Sequence, residues 1–288
     1  MDPHLLRTFA AVARLGSFSA AADELGYTQS AVSQQIAALE QDVGAPLLRR
    51  RPVALTDAGA RLLEHTGPIL LRLAAARADV ARLAGPPPAT VLLGATPLSG
   101  LDAGRLVAVQ RAMPRVAFTL RVAGRGEVAT GVATGRFDLG LVDGVTAPSD
   151  PLPLPDTGQL DTAVVAERPV VVALPAGHPL AGRRSLRLAD LADAVWLDAP
   201  EATTPPAQLR ALARAEGFRG GLAYPGTDTG TLLSLIAAGA GLALLPASAI
   251  TSALRGVPVA EPRLVHRTEL VHGSLTGPAA AVRAALNA

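Results

Sequence analysis

Hydrophobic residues recur at helical spacing through the first 84 positions of the chain. Residues 1–55 are helix-like apart from a short tail, LLRRRPVALT, and residues 56–84 form one long helical pattern. Within the first segment two helices meet at a sharp turn, where small Ala22 permits close approach and Gly26 permits the turn conformation. Thr28 suits the N-cap of the second helix. The pattern predicts a helical N-terminal domain followed by a long helix.

After a break at GPPP (85–88), short apolar runs alternate with helical patterns. We predict strands at 91–96, 116–123, 138–144, 170–175, 195–198, 241–246 and 267–273, and helices ending near 111 and spanning 126–135, 206–216, 229–238 and 277–287. This alternation is typical of an α/β fold with parallel strands. The uncharged run 231–254 is long enough to cross a membrane, but Gly239, Gly241 and Pro246 divide it, so we expect no membrane segment.

Composition excludes several kinds of site. A chain of 288 residues, 49% hydrophobic and 17% charged, fits about two globular domains. It has no Cys, which excludes disulfides, thiolate metal ligands and a cysteine nucleophile, and no Lys, which excludes Schiff-base and P-loop lysines. The five His lack metal-ligand spacing, and no complete dinucleotide or GxSxG motif is present. We therefore expect no enzyme activity, metal or cofactor, and, without a signal peptide, a cytoplasmic location.

The helix after Gly26 carries uncharged polar side chains where a solvent-facing helix usually carries charges. If Val32, Ile36 and Leu39 face the core, the outward positions of its first turns hold Gln29, Ser30, Ser33 and Gln34. Gln can pair with adenine through two hydrogen bonds, and Ser can contact bases or phosphates. The pattern predicts a recognition helix in the major groove of DNA, although a small helical bundle with a polar face has the same pattern.

Charge alone does not explain DNA binding. Residues 1–85 contain nine Arg and eight acidic residues. Affinity would therefore depend on base contacts, a few well-placed Arg and multivalent binding. The cluster Arg49, Arg50 and Arg51 is the predicted phosphate site, with a solvated charge run as the alternative.

The long helix has a heptad seam that suits pairing with a second copy of the chain. Spacings of four and three alternate along Leu62, Thr66, Ile69, Leu73, Ala76, Val80 and Leu83. Gly67 and Pro68 interrupt the pattern, and packing of the helix on its own chain is the alternative. We predict a homodimer or homotetramer, with Leu62, Ile69, Leu73, Val80 and Leu83 as dimerisation residues.

From Leu5 to Gly59 the chain resembles the winged helix-turn-helix of LysR-type transcriptional regulators. The stretch GSFSAAADELGYTQSAVSQQIAALEQDVG follows the family pattern GSF..AA..L..SQ.A.S.QI..LE..LG almost without a gap. The resemblance implies that Thr28, Gln29, Ser33 and Gln34 contact DNA and that Arg50 is the wing arginine. The wing segment is about two residues shorter than usual, and position 34 is often Arg in the family.

The resemblance also covers the rest of the chain and implies three regions. They are a DNA-binding domain (1–58), a linker or dimerisation helix with hinge (59–88), and an effector-binding domain (89–288). The effector domain would have two α/β subdomains of the periplasmic-binding-protein type, 89–160 with 266–288 and 161–265. The chain would cross between them near 158–164 and again near 262–268.

An effector is expected in the cleft between these subdomains, where strand ends and helix N-termini converge. The candidate contacts are Thr96, Ser99, Arg125, Gly126, Thr203, Thr204 and Thr229. Each Thr could equally be an N-cap. The family often has Ser or Thr where this chain has Leu98 and Gly126. The sequence thus predicts a regulator that binds double-stranded DNA and a small-molecule effector, preferably an organic anion. The alternative is a cytosolic solute-binding module that has lost DNA binding.

Overall fold

The computed structural model describes residues 1–84, 90–155, 160–275 and 277–287, and the side chains of all of these except 82–84 and 287. The chain forms two compact units, a first unit of Met1–Arg77 and a second unit that begins at Ala78. The predicted break at 85–88 lies outside the described residues.

The first unit contains three short helices, a hairpin and most of a long helix, whose last residues, 78–84, belong to the second unit. Their bounds are α1 Pro3–Leu15, α2 Phe18–Leu25, α3 Gln29–Val43, β1 Leu48–Arg50, β2 Val53–Leu55 and α4 Asp57–Ala84. Gly26 ends α2 in the left-handed conformation, at φ 70°, and the Thr28 hydroxyl accepts a hydrogen bond from the Ala31 N–H at 3.2 Å. The predicted helix-turn-helix and its N-cap are therefore confirmed.

The hairpin is fastened to the helices by side-chain hydrogen bonds. Strands β1 and β2 are antiparallel, with Arg49 opposite Ala54. Glu40 of α3 accepts from the backbone N–H groups of Leu47 at 2.7 Å and Leu48 at 3.2 Å. At Gly59 a Cβ atom would lie 2.0 Å from the Leu47 carbonyl oxygen, so only glycine permits this close approach. The wing is consequently held in a fixed position beside α3.

The second unit contains ten strands and five helices among the described residues. The strands are β3 Thr90–Ala95, β4 Ala117–Val122, β5 Leu139–Thr146, β6 Asp161–Pro175, β7 Leu186–Arg187, β8 Val195–Asp198, β9 Arg219–Ala223, β10 Ala243–Pro246, β11 Leu254–Glu261 and β12 Val265–His272. The helices are α5 Ala103–Ala112, α6 Arg125–Ala133, α7 Pro206–Ala213, α8 Thr229–Ala237 and α9 Gly277–Asn287.

The expectation of parallel strands holds only in part. Strand β3 is parallel to β4 and β5, and β8 is parallel to β9. Strand β12, however, is antiparallel to both β5 and β6, while β10 and β11 are antiparallel to β6. The order β4-β3-β5-β12-β6-β11-β7, with β10 also on β6, forms one mixed sheet. Strand β12 is inserted between β5 and β6 and runs opposite to both.

Strand β6 belongs to both lobes of the second unit, which corrects the predicted subdomain boundary. Residues 161–169 pair with β12, in a first lobe that also contains β3–β5, α5, α6 and α9. Residues 170–175 pair with β10 and β11, in a second lobe that also contains β7–β9, α7 and α8. The crossing therefore lies near 169, not at 158–164. Because one unbroken strand serves both lobes, the sequence pattern does not mark the passage.

Three strands were not predicted, namely β7, β9 and β11. Strand β9 reads RGGLA and is exposed throughout, so it lacks the apolar alternation that identifies a strand. Helix α7 ends at Ala213, before the predicted 216, and only a 3-10 turn, Ala247–Ala249, follows β10. Within the residues that the structure describes, no helix is long and apolar enough to span a membrane.

Candidate nucleic-acid interface and effector site

The start of α3 presents several polar side chains that form no hydrogen bond to a described residue. Gln29 and Gln34 are exposed and Ser33 is half-buried, and none of the three makes a side-chain hydrogen bond to a described residue. The Ser30 and Thr28 hydroxyls share a hydrogen bond of 2.9 Å. Gln29, Ser33 and Gln34 can therefore bond to an external partner without breaking internal side-chain bonds.

The other side of α3 is fixed to the core. Val32, Ile36 and Leu39 are fully buried against α1 and α2, as their spacing predicts. Gln35 accepts a hydrogen bond from the buried Thr8 hydroxyl at 2.6 Å, a contact that the sequence analysis missed. A polar Thr within the apolar face of α1 was the available signal. These buried contacts hold the polar start of α3 rigidly in place, as direct readout of DNA bases requires.

The predicted phosphate-binding arginines all lie on the wing hairpin and are exposed. The Arg50 guanidinium lies 5.6 Å from the centre of the Phe18 ring, a cation–π distance that orients this side chain. Neither Arg49 nor Arg51 forms an ion pair with a described residue. All three remain available to anions.

One face of helix α4 packs against the core of the N-terminal unit, and another face is exposed. Leu62, Leu63 and Leu70 pack against the core of α1–α3, and the Thr66 hydroxyl donates to the Leu62 carbonyl at 2.8 Å. Ile69 is 39% exposed and Val80 is 67% exposed. Leu62, predicted for dimerisation, therefore packs on its own chain, because it covers the core where the helix begins. Leu73 is half-buried, and the Leu83 side chain lies outside the described residues.

In the second unit, a buried polar cluster lies at the end of β3. The Thr96 hydroxyl donates to Asp143 and also accepts from the Asp143 N–H at 2.9 Å. His266 on β12 is hydrogen-bonded to the other Asp143 oxygen at 2.8 Å. Asp143 and His266 were not predicted, although an acidic residue within the apolar β5 run was a usable signal. Asp143 therefore links β3, β5 and β12.

Three of the predicted effector hydroxyls, those of Thr96, Ser99 and Thr203, form hydrogen bonds within the protein. Ser99 donates to the Thr96 carbonyl at 2.8 Å and Thr203 donates to the Leu244 carbonyl at 2.7 Å. Thr96, Ser99, Thr203 and Thr204 are all buried. A buried hydroxyl needs a hydrogen-bond partner, and for Ser99 and Thr203 a backbone carbonyl provides it.

Arg125 is the charged group among the predicted effector contacts, and it lies between acidic residues. Its Nε donates to the Asp143 carbonyl at 2.7 Å. Burial lowers the pKa of Arg125, and attraction from Asp143 and Glu201 opposes this effect. A Cβ atom on Gly124 would overlap the Glu201 carboxylate, so this glycine lets the second lobe's Glu201 approach α6. Glu201 was also missed by the sequence analysis.

Two further predicted effector residues are open to a ligand. Gly126 is exposed, with no atom within 4 Å of where its Cβ would lie. Thr229 is half-buried and is the first residue of α8, whose N-cap is Asp228, which accepts from the Thr231 N–H at 2.6 Å. No group of three metal-ligating residues occurs in the described part of the chain.

Arg267 and Glu269 form a second buried charged group, on β12. The Arg267 guanidinium bonds Glu269 and Glu167, each at 2.6 Å. Burial alone would lower the pKa of Arg267, but its hydrogen bonds to Glu269 and Glu167 outweigh burial and raise it. Glu269 also accepts from the Leu152 N–H at 3.2 Å. These contacts tie β12 to β6 and to the segment that follows β5.

Comparison with known proteins gives matches along the whole chain. Residues 3–60 match the bacterial regulatory helix-turn-helix protein, lysR family, and residues 84–288 match the LysR substrate binding domain. The transcriptional regulator BudR of Raoultella terrigena is 31% identical over 255 residues, covering 86% of this chain and 85% of BudR. A probable hydrogen peroxide-inducible genes activator of Mycobacterium avium is 34% identical over 281 residues, covering 94% of this chain and 88% of the relative.

Solved structures share the fold. Full-length BenM aligns over 99% of this chain and 95% of its own, with a TM-score of 0.52 and 25% identity. Full-length CbnR, solved with its target DNA, aligns over 99% of this chain and 98% of its own, with a TM-score of 0.51 and 23% identity. The alternative of a solute-binding module without DNA binding finds no support in these matches. The chain belongs to the LysR family of bacterial transcriptional regulators, which bind DNA through an N-terminal helix-turn-helix and carry a C-terminal effector-binding domain.

Proposed function

We propose that α3 enters the major groove of a specific DNA site. Gln29, Ser33 and Gln34 contact base edges, and Thr28 and Ser30 contact the groove wall beside them. The observation that carries this proposal is that Gln29, Ser33 and Gln34 form no side-chain hydrogen bond to a described residue, while the opposite face of α3 is buried. The wing arginines, 49–51, bind backbone phosphates on either side.

Replacing Gln29 with Ala tests the base-reading role. The variant loses a contact to a base but no contact to a phosphate, so binding to the specific site weakens by about 1–3 kcal/mol while binding to random DNA hardly changes. Fluorescence anisotropy on a selected site and on a scrambled duplex, at one fixed salt concentration, measures both affinities.

Two further variants serve as controls. Gln41→Ala removes an exposed glutamine at the other end of α3 and leaves both affinities unchanged. Arg51→Ala weakens binding to both duplexes alike and lowers the salt slope by about 0.9, because one phosphate contact is lost. An equal loss on both duplexes for Gln29→Ala contradicts the assignment.

The exposed seam of α4 pairs with a second copy of the chain, through Ile69, Leu73 and Val80. Two DNA-binding units then contact two half-sites, which compensates for the small net charge of residues 1–85. The DNA is in the cytoplasm of a bacterium, and the protein acts there as a regulator and not as an enzyme.

A small organic anion binds between the two lobes of the effector domain and competes with Glu201 for Arg125. Arg125 and Gly126 lie on the first lobe, while Glu201 and Thr229 lie on the second. Displacement of Glu201 loosens an attraction between the lobes, and this change alters DNA binding. The Mycobacterium avium relative is named for genes induced by hydrogen peroxide. This chain has no Cys, so it cannot respond to peroxide through a thiol.

A further inference from the structure

A recess opens where the two lobes are connected, and none of the residues proposed for the effector lines it. Its volume is about 570 Å³, which lies in the range of small-molecule sites. Thr146 and Asp150 line it from the end of β5 and the segment that follows, Arg187 and Arg214 line it from the second lobe, and Arg263 lines it from the link between β11 and β12. A molecule in this recess therefore contacts both lobes and one of the links between them.

Two of the three arginines of the recess have no acidic partner. Arg187 is paired with Glu261 at 2.8 Å. Arg214 and Arg263 are exposed, and neither forms an ion pair with a carboxylate in the part of the chain that the structure describes. Asp150 is also exposed, and its carboxylate forms no ion pair with a described residue. The recess therefore presents two guanidinium groups and one carboxylate to a ligand, with one positive charge in excess.

Arg214 has a backbone conformation that is unusual for its residue type. It caps the C-terminus of α7 at φ 50° and ψ 42°, in the left-handed region, and its N–H bonds to the Arg210 carbonyl. Glycine is the usual residue at such a cap, because it lacks the Cβ atom that makes this conformation costly. Ser149, which precedes Asp150, also has a positive φ, of 70°. The chain thus keeps an arginine side chain beside the recess where glycine would be less strained, as is typical of functional sites.

We propose that this recess binds a phosphate monoester that carries a hydroxyl group, at a site separate from that of the effector. A phosphate group has about two negative charges and three acceptor oxygens, so it can pair with both Arg214 and Arg263. A single carboxylate would balance only one of these arginines. The ligand's hydroxyl donates to the Asp150 carboxylate, which repels a second anionic group. Leu212 and Leu264 line the recess beside these charges and contact the carbon atoms of the ligand.

The ligand joins the lobes beside a contact that already connects them. The Gln208 side chain of α7 donates to the Val145 carbonyl of β5 at 3.2 Å, and Val145 packs in a core cluster of the second lobe. A ligand held by Asp150 and Arg214 adds a second connection between α7 and the segment after β5. Its binding therefore restrains movement of one lobe against the other.

Titration of the full chain with glycerol 3-phosphate tests the site, with glycerol and glycerate as matched ligands. Isothermal titration calorimetry should show saturable binding of glycerol 3-phosphate and weaker binding of both others. Arg214→Gly should weaken this binding by about tenfold or more, because a charge-assisted pair is lost. The same variant should unfold at an equal or higher temperature than the wild type, because glycine tolerates the left-handed conformation. Arg263→Gln should weaken binding as well.

Three further variants separate this recess from other arginines of the chain. Arg125→Gln removes the arginine proposed for the effector, and Arg219→Gln removes an exposed arginine of the second lobe that does not line the recess. Each should leave binding of glycerol 3-phosphate within about twofold of the wild type. Ala211→Phe fills the recess from an exposed position of α7 without changing its charge, and it should weaken binding.

Four results would overturn the proposal. They are no saturable binding of glycerol 3-phosphate, equal binding of glycerol 3-phosphate and glycerate, binding that survives in both Arg214→Gly and Arg263→Gln, and a loss in Arg125→Gln as large as that in Arg214→Gly. The last result would place the phosphate in the effector cleft. Failure here leaves the DNA-binding test on Gln29 unaffected, because the two sites lie in different units of the chain.

Discussion

At the scale of single residues, hydrogen bonds from side chain to backbone determine the shape of the DNA-binding domain. Glu40 accepts two backbone N–H groups of the segment that leads into β1, and Thr56 donates to the Pro46 carbonyl at 2.7 Å. Without these bonds the backbone groups at Leu47 and Leu48 would be buried without partners. The position of the wing arginines thus depends on a carboxylate that itself does not contact DNA.

Replacing Glu40 with Ala is expected to lower the free energy of unfolding of the N-terminal unit. Two buried N–H groups lose their acceptor, so the loss should be about 1–3 kcal/mol, and specific DNA affinity should fall as the wing becomes mobile. Urea unfolding followed by circular dichroism measures the first effect. Glu64→Ala, which removes an exposed carboxylate paired with Arg61, should change stability by less than about 1 kcal/mol. Equal stability of both variants would contradict the role of Glu40.

Residue roles differ in how far the sequence determines them. Thr28 and Gly26 were predictable because a helix cap depends on its immediate neighbours. The orientation of Thr96 and Thr203 was not, because their partners, Asp143 and the Leu244 carbonyl, are brought close only by the fold. Asp143 and Glu201 were missed for the same reason, since their partners are distant in sequence.

At the scale of elements, α4 has two roles that its pattern could not separate. A seam of spacing three and four fits both a partner helix and the core of its own domain. The structure assigns Leu62, Leu63 and Leu70 to the core and leaves Ile69 and Val80 exposed. Strand β6 shows a comparable limit, because the pattern predicted a strand only at 170–175, although β6 spans fifteen residues and serves two lobes. Periodicity identifies an element but not which neighbour it packs against.

Val80→Glu is expected to disrupt the dimer while the monomer stays folded. The side chain is 67% exposed in the single chain, so the charge costs little there but is costly within an apolar helix–helix contact. Ala81→Glu is the matched control, exposed and rotated by about 100° around the helix. Sedimentation velocity at micromolar protein should show monomers for Val80→Glu and dimers or larger species for Ala81→Glu. A Val80→Glu variant that sediments like the wild type would disprove the pairing of this face.

At the scale of the whole molecule, the regulator combines a rigid DNA-reading unit with a two-lobed effector unit. The lobes share β6 and approach each other at Leu98, Arg125 and Glu201. The family resemblance was sufficient to predict this architecture. It was insufficient to predict the charges of the cleft, because those depend on residues such as Asp143 and Glu201, whose partners are distant in sequence.

An anionic effector should stabilise the effector domain through Arg125. At 100 times its dissociation constant it adds about 2.7 kcal/mol to the free energy of unfolding, which a thermal-shift screen of small carboxylates detects. Arg125→Gln should abolish the shift, whereas Arg136→Gln, an exposed arginine near Glu127, should retain it. A shift that persists in Arg125→Gln would place the effector elsewhere.

The most direct test of sequence-specific regulation is selection of bound duplexes from a random DNA pool by the full-length protein, followed by affinity measurement at about 0.15 M salt. We expect enrichment of a two-fold symmetric sequence whose half-sites are one or more helical turns apart. Affinity for this sequence should exceed that for scrambled DNA by about 10³-fold or more. A pool that stays random after repeated selection, with equal affinity for all duplexes, would contradict the assignment of α3 as a recognition helix.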